Sequence, residues 1–476
     1  MKLGELLKGV KIKEIKADLN IEIKGVCYDS RKCGEGYAFF ARKGLTYDGF
    51  KFIPACFKKG VSVFFGEEGF EDYPCIVVED ILEAQAIVSA NFYGNPQNFL
   101  NIVGVTGTNG KTTTCYLLKE GLNAGLISTV DIITGKRKEK ARLTTPESTD
   151  VFLYLREMVD SGFKYAVIEV SAHALTLKRI FNIEFDSVVF TTFSRDHLDY
   201  YNDMESYLKA KLKIFEMLKK DGFCVLNSDL DVIEKLKTKC KNPLLVGKGK
   251  DADIRIQSLK EKENGIEITY LIKGKEKAVF FPLIGDYNSY NLGFAIGVLE
   301  GLNVDVDLFL KKIERGFSVP GRVEKIDSSG GVTVIIDFAH TPEGLENLLC
   351  SVKKHTHSRL ITVFGCGGDR DRTKRPLMLE AVCRYSDIVF VTADNPRNEE
   401  LSQIFNDIKK GRSFGKEVSY IEDRKKAIFE AVACAQKGDI VVIAGKGHED
   451  YQIIADKKIP FSDREVALEA LSYEGK

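Results

Sequence analysis

Apolar and polar positions along the chain follow a repeating rhythm: a short apolar run, a polar cluster, then a longer amphipathic stretch. Strand-like runs fall at 166–170, 187–193 and 223–226, and again at 332–336, 360–364, 388–392 and 440–444. Helix-like stretches lie at 81–93, 115–122 and 205–218. Strand and helix periods in alternation predict parallel sheets flanked by helices, so the expected fold class is α/β. Gly94-Asn95-Pro96-Gln97-Asn98 and Val319-Pro320-Gly321-Arg322 interrupt the rhythm as linkers do. The expected domains are therefore 1–98, a small α/β unit; 99–321, a central unit with a parallel sheet; and 322–476, a second, Rossmann-like α/β unit.

Many strand-like runs end in polar clusters: Ser171-Ala172-His173, Ser194-Arg195-Asp196-His197, Asp337-Phe338-Ala339-His340, Gly365-Cys366-Gly367-Gly368-Asp369-Arg370, Asp394-Asn395-Pro396-Arg397 and Gly445-Lys446-Gly447-His448-Glu449. Open α/β sheets bind ligands beyond the carboxyl ends of their strands. Both larger units are thus expected to aim polar tips at a shared cleft. Four of the six histidines (His173, His197, His340, His448) fall in these clusters, and His355 and His357 read as surface residues.

Composition narrows the class. The chain has 476 residues, with 69 Lys+Arg against 69 Asp+Glu, so no global field draws it to nucleic acid or a membrane. No apolar run approaches the roughly 18 residues of a membrane span. Met1-Lys2-Leu3-Gly4-Glu5 is charged at once and lacks a signal-peptide core. The eleven cysteines include no Cys-x-x-Cys pair, and several, such as Cys224, Cys366 and Cys434, sit in apolar runs. Buried reduced thiols in a cytoplasmic protein, with no zinc site, are expected.

Residues 104–114, Gly-Val-Thr-Gly-Thr-Asn-Gly-Lys-Thr-Thr-Thr, carry the clearest chemistry. Strand, glycine turn, lysine, hydroxyls and helix are the parts of a phosphate cradle. Lys111 can reach outer phosphates, and Thr112 can offer its hydroxyl to Mg²⁺. The strict P-loop spacing fails, because Val105 stands where a glycine belongs and the glycine is at 104. Glu169 closes a strand-like run, where a carboxylate needs a partner: either Mg²⁺ or a basic side chain. Lys209, Lys211 and Lys213 share a helix-like stretch, and periodicity gives no reason to prefer Lys211 over a solvated reading of all three. Arg397 offers a planar fork for a carboxylate and Asp394 an anion for an ammonium, with Arg370 as a second cation. A tight turn with a surface arginine is the alternative.

Taken together, these motifs resemble the Mur ligase family, over nearly the whole chain and in order. The matching segments are Gly-Thr-Asn-Gly-Lys-Thr-Thr at 107–113, Glu-Val-Ser-Ala-His at 169–173, Ser-Arg-Asp-His-Leu-Asp at 194–199, Tyr-Asn-Ser-Tyr-Asn at 287–291, Pro-Gly-Arg at 320–322, Asp-Phe-Ala-His-Thr-Pro at 337–342, Asp-Asn-Pro-Arg at 394–397 and Gly-Lys-Gly-His-Glu at 445–449. The resemblance implies a domain for a UDP group, a central P-loop ATPase and a mobile C-terminal domain. It implies ATP-dependent amide formation in peptidoglycan precursor synthesis, by a monomer, with UDP-N-acetylmuramoyl-alanyl-glutamate and meso-diaminopimelate as the joined substrates.

The resemblance also implies roles. Gly107, Thr108, Asn109, Gly110, Lys111, Thr112 and Thr113 would hold ATP phosphates. Asn288, Asn291, Arg322, Asp337 and His340 would lie on the nucleotide side. Thr112 and Glu169 would hold one Mg²⁺. His197 would help hold a second, with Lys211 at the position of a carbamylated lysine. Ser30, Thr144, Thr145, Ser171 and Arg179 match positions for the UDP substrate. Arg370, Asp394, Asn395, Pro396, Arg397, Gly445 and Glu449 match positions for the amino acid. Arg397 points to diaminopimelate rather than lysine, because the extra carboxylate needs a cation. Leu177, where a close relative has a substrate-contacting Gln, and Ala172, in place of a common Ser, depart from the pattern.

Overall fold

Runs of Val, Ile and Phe build the sheets, because branched and aromatic side chains fit a pleated surface covered on both faces. The computed structural model describes residues 1–44, 48–70, 72–241, 243–262 and 264–476. Among these, the strands form sheets of five, eleven and six strands, plus a separate two-stranded hairpin. The three large sheets use residues 12–78, 101–281 and 324–444 in turn, and the hairpin spans 451–460.

The middle of the eleven-stranded sheet is parallel, in the spatial order Leu218–Asn227, Phe185–Phe190, Asn101–Thr106, Tyr165–Glu169, Gly125–Ile127. Its two edges depart from the predicted alternation. Ile254–Lys262, Gly265–Ile272 and Lys275–Phe281 run antiparallel, as do Gly125–Ile127, Asp131–Ile133 and Lys138–Lys140. Between Gly265–Ile272 and Lys275–Phe281 the cause is local: Lys273 and Gly274 both take positive φ, 49° and 77°, which closes a tight hairpin and leaves no room for a crossover helix. The stretch at 205–218 is also split. Its α-helix, Met204–Leu212, passes into a 3-10 turn, Lys213–Met217, before the strand from Leu218.

Gly104 belongs to the strand Asn101–Thr106, not to the phosphate turn. A Cβ there would lie 2.8 Å from the Phe185 ring on the neighbouring strand, so glycine admits the ring. The expectation of reduced thiols throughout fails for Cys224. The strand Leu218–Asn227 and the segment after the helix Ile233–Lys237 bring Cys224 and Cys240 to a Cα separation of 6.3 Å, and the two are joined in a disulfide. The remaining nine cysteines are free. No helix among the described residues is long and apolar enough to cross a membrane.

In the six-stranded sheet, Thr333–Asp337, Ile440–Ala444, Leu360–Cys366, Ile388–Ala393 and Glu417–Ile421 are neighbours in parallel. One fully buried guanidinium ties two of their ends together. Arg424 donates to Ala393 O at 3.3 Å and Ala444 O at 3.0 Å, the last residues before Asp394 and Gly445, while its other bonds, at 2.8 Å, go to Asp463. Arg424→Met should therefore destabilise the C-terminal unit by about 3–5 kcal/mol, because Asp463 is left charged and unpaired in the core. Arg424→Met/Asp463→Leu should recover much of that loss. Urea unfolding followed by tyrosine fluorescence checks both; equal midpoints for wild type and the single variant would refute the clamp.

Candidate active site

The phosphate turn is shaped by contacts that exclude side chains. Gly107 has φ 142°, and a Cβ on it would fall 2.0 Å from Thr191 Oγ1; one on Gly110, φ 84°, would fall 2.3 Å from Asn291 Oδ1. Thr192 fixes the loop from the next strand end: Thr108 N donates to its carbonyl and Asn109 N to its hydroxyl, both at 2.8 Å. The helix Lys111–Leu122 starts immediately after Gly110 and points its free N–H groups into the space. Lys111 Nζ donates to Thr108 O at 2.7 Å. Burial pushes its ammonium below the usual lysine range, and the nearby Arg322 adds to this.

Glu169 ends its strand beside this turn. Its Oε1 accepts from Thr112 Oγ1 at 3.2 Å and from Thr129 Oγ1 at 2.8 Å; its Oε2 accepts from Thr129 N at 2.9 Å. It makes no ion pair among the described residues, so a basic partner does not explain its burial. Arg322 Nη2 donates to the same Thr112 hydroxyl at 3.0 Å, and its guanidinium lies 4.6 Å from the centre of the Phe338 ring.

The three lysines at 209–213 separate cleanly. Lys209 and Lys213 are exposed, while Lys211 is 1% exposed. Its Nζ donates to Gly107 O at 2.6 Å and sits 4.7 Å from the Tyr207 ring centre. Burial, then the charge of Lys111, pushes its ammonium far below the usual range. Tyr207 also packs edge-on against His197, whose ring centre is 5.9 Å away. His197 adopts φ 56° and its Nε2 lies 3.4 Å from Asp196 Oδ2. Burial pushes the His197 imidazole down to about 3. Burial alone would raise the Asp196 carboxyl, but His197, His340 and Lys374 outweigh it and hold it well below the usual carboxylate range.

One cavity of about 630 Å³ runs from this turn to the C-terminal unit. It is lined by Thr108 to Thr113, Glu169 and His197 at one end, and by Arg370, Asp394, Asn395, Arg397, Gly445 and Glu449 at the other. Asn288, Asn291, Arg322, Asp337, His340 and Thr144 complete its wall. Asn291 Nδ2 donates to Asn288 Oδ1 at 2.9 Å. Asp337 accepts from Val323 N at 2.8 Å and Ala339 N at 2.7 Å, which pins the linker; burial raises its carboxyl. His340 Nδ1 lies 2.9 Å from Phe338 O, and burial lowers its imidazole.

At the far end the surface-arginine alternative fails. Asp394 and Asn395 are buried, and Arg397, at φ 53°, is half-buried, with Nη1 donating to Gly368 O at 2.8 Å and Asn395 O at 3.3 Å. Arg370 is more exposed and lies 3.6 Å from Asp199. Pro396 helps form the turn but does not line the cavity.

Gly107, Lys211, Ser30, Thr145, Ser171 and Arg179 also stand off the cavity wall. Thr145 Oγ1 donates to Glu169 O at 2.7 Å and accepts from Ser171 N at 3.1 Å. Arg179 donates to Thr145 O at 3.1 Å and pairs with Glu147 at 3.0 Å, leaving its buried Nε without a partner. Arg42 of the first unit reaches the same Glu147 at 2.7 Å. Ser30 sits in the 3-10 turn Ser30–Lys32, its carbonyl accepting from Lys59.

Several site residues escaped the sequence reading. Asp196 was visible inside its cluster, but nothing in the pattern said it would face two histidines. Thr129 lies in no motif. Lys446 stood in a quoted motif without a role, and is fully buried against Glu449 and Asn395. His355 is not a free surface group: its Nε2 lies 2.9 Å from Glu261 Oε2 on the antiparallel edge of the central sheet. His448 Nε2 lies 3.1 Å from Thr129 O, bridging the two larger units.

Comparison with known proteins agrees along the whole chain. Residues 22–93 match the model described as Mur ligase family, catalytic domain; 105–299 match Mur ligase middle domain; and 321–447 match Mur ligase, glutamate ligase domain. A UDP-N-acetylmuramoyl-L-alanyl-D-glutamate--2,6-diaminopimelate ligase of Clostridium perfringens is 40% identical, with 100% of each chain covered. The protein of that name from Caldanaerobacter subterraneus subsp. tengcongensis is 39% identical, again over 100% of both. A solved structure bearing the same name is 30% identical, with TM-score 0.66 over 100% of this chain and 99% of the other. The MurF ligase of Thermotoga maritima, solved with ADP, shares the fold at 20% identity and TM-score 0.69, covering 95% and 98%. The strand-end clusters gathered around one cavity, and relatives aligned from end to end, place this chain in the Mur ligase family.

Proposed function

We propose that the protein joins meso-2,6-diaminopimelate to UDP-N-acetylmuramoyl-L-alanyl-D-glutamate, with cleavage of ATP to ADP and phosphate. The observation that carries this reading is the single cavity with Lys111 and its glycine turn at one end and Asp394 and Arg397 at the other. In this reading the glutamyl carboxylate of the nucleotide substrate attacks the γ-phosphorus, and ADP leaves. An amine of diaminopimelate then attacks the acyl phosphate, and phosphate leaves from the tetrahedral intermediate. Lys111 and the helix N-terminus neutralise charge on the transferring group, and the closed cavity keeps water away from the acyl phosphate.

The oxygen donors of Thr112 and Glu169 lie 3.2 Å apart, which suits a hard cation such as Mg²⁺ completed by phosphate oxygens. Mg²⁺ usually keeps several waters and takes one or two protein oxygens plus phosphate oxygens, so Thr112 and Glu169 would suffice as its protein ligands. When bound, Mg²⁺ would supply charge neutralisation for the phosphates. His197 and Lys211 would serve a second ion, with Lys211 carrying a carbamate. Burial disfavours the Lys211 ammonium, and the neutral amine is the form that adds CO₂. Asn288, Asn291, Asp337 and His340 would face the nucleoside, and Ser30, Thr144, Thr145, Ser171 and Arg179 the UDP substrate. Asp394, Asn395 and Glu449, with Gly445 admitting close approach, would take the ammonium of the amino acid. Arg397, aided by Arg370, would take the carboxylate that lysine lacks.

Phosphate release with ATP, the UDP-muramoyl-dipeptide and either diaminopimelate or lysine tests the reading. Turnover should require diaminopimelate. Equal turnover with lysine would remove the specificity assignment, and none with either would remove the function. Arg397→Ala should raise the KM for diaminopimelate by roughly thirtyfold or more, because one partner of a desolvated charge pair is lost. An unchanged KM would remove Arg397 from the site. Lys211→Ala should lower kcat by on the order of a hundredfold, and bicarbonate should not restore it. A fully active variant would exclude the carbamate.

A further inference from the structure

We infer that Lys446 is a positioning residue that sets the charge balance at the amino-acid end of the cavity, leaving one uncompensated negative charge for one ammonium group. The inference rests on the assignment of Asp394 and Glu449 to the incoming amino acid. It goes beyond that assignment by giving a role to a side chain that does not line the cavity.

The geometry is specific. The Lys446 side chain has no solvent exposure, and its Nζ lies 2.8 Å from Glu449 Oε2, 3.1 Å from Asn395 Oδ1 and 3.6 Å from Asp394 Oδ1. Asp394, Asn395 and Glu449 all line the cavity in front of it. One ammonium thus touches three cavity-lining side chains from behind. The backbone enforces this arrangement. Gly445 and Gly447 have φ 115° and 53°, and Glu449 N donates to Lys446 O at 3.0 Å, so Lys446 and Glu449 share one tight turn. Asn395 is held the same way from the other loop: its Nδ2 donates to Glu449 Oε2 at 3.0 Å, and its Oδ1 also accepts from Ile453 N at 2.9 Å.

The charge count follows. Asp394 and Glu449 bring two negative charges to one buried wall, where they repel each other. Lys446 cancels one. Of the other basic groups, Arg424 pairs with Asp463, while Arg397 bonds only the carbonyls of Gly368 and Asn395 and keeps its charge for the substrate carboxylate. Tyr451 presents its ring to Lys446 at 5.5 Å. A single negative charge remains facing the cavity, which one ammonium neutralises. Two uncompensated carboxylates would instead favour sharing a proton, and a protonated carboxyl is a poor partner for an ammonium. Burial and Asp394 already push the Glu449 carboxyl up, and Lys446 opposes that rise. Removing Lys446 lets it rise further.

The test uses the full-length enzyme and the three-substrate assay. Lys446→Met should raise the KM for diaminopimelate by about tenfold or more, with the KM for ATP and for the UDP substrate within about twofold of wild type. The sign of the pH effect is fixed. Without Lys446 the Glu449 carboxyl holds its proton to higher pH, so the elevated KM should fall as pH rises, and by more than the wild-type KM does. The double variant Lys446→Met/Glu449→Gln again leaves one negative charge, on Asp394. It should bind diaminopimelate more tightly than Lys446→Met and more tightly than Glu449→Gln alone, which leaves none. If Lys446→Met does not melt as a folded protein, the comparison of Glu449→Gln with the double variant carries the test. A double variant no better than either single variant overturns the proposal, as does a parallel rise in all three KM values. Wild-type turnover with diaminopimelate separates the two readings: its absence removes the proposed function, while its presence with a flat variant series removes only the role of Lys446.

Discussion

A parallel sheet covered on both faces has nowhere to put chemistry except at the ends of its strands. The architecture of this protein follows from that constraint. Glu169 and Asp337 are the last residues of their strands; Ala393 and Ala444 are the last before Asp394 and Gly445. Register then decides which ends are level. Glu169 pairs with Val105, and Thr106 with Phe190, so the phosphate turn, the carboxylate and the Thr191–Thr192 corner emerge side by side. A slip of one residue would move Glu169 about 3.3 Å along the strand. The 3.2 Å contact with Thr112 would not survive it.

Two lysines, one half-buried and one buried, show what the site is built to receive. Lys111 and Lys211 each bond a backbone carbonyl of the same turn, Thr108 O and Gly107 O, and neither forms an ion pair among the described residues. Buried ammonium groups without carboxylate partners are costly. At Lys111, which lines the cavity, that cost is recovered when an anion enters, and the helix N-terminus beside it favours the same charge; at Lys211 it favours the neutral amine that a carbamate needs. The far end of the cavity is arranged the opposite way: Asp394 and Glu449 are balanced only in part by Lys446. One space therefore carries a positive end for phosphate and a negative end for an ammonium, with Arg397 beside the latter.

The legible part of the sequence was the part governed by local rules. Strand runs at 360–364, 388–392 and 440–444 coincide with strands because branched residues in short apolar runs leave few alternatives. The glycines at 107 and 110 announced a backbone turn. What stayed hidden depends on neighbours distant in sequence. Gly104 made sense only once the Phe185 ring was seen against it. Periodicity could not single out Lys211, because its burial is set by Tyr207 and the phosphate turn, not by the helix face alone. The Cys224–Cys240 disulfide and the His355–Glu261 contact likewise join segments that no spacing rule connects. Among the residues proposed for the UDP substrate, the structure links Arg179 to Thr145, and Thr145 to Ser171, but leaves Ser30 in a separate turn.

The linker between the larger units makes their arrangement and the site's geometry one problem. A Cβ on Gly321 would lie 2.1 Å from His448 N, so the linker and the 445–449 loop pack backbone to backbone. The Asp337 carboxylate gathers Val323 N and Ala339 N around the same point. From there Arg322 reaches Thr112, and His448 reaches Thr129. Thr112 and Thr129 are the two residues that hold Glu169. Any rotation of the C-terminal unit about this linker must therefore pull on the contacts of Glu169 as well as on the loops at 394–397 and 445–449. A phosphate entering beside Thr112 meets a guanidinium that is always charged and already in place. A rotation of the C-terminal unit would thus move both ends of the cavity together, the coupling that the proposed reaction needs if its activated intermediate is to meet an amine before it meets water.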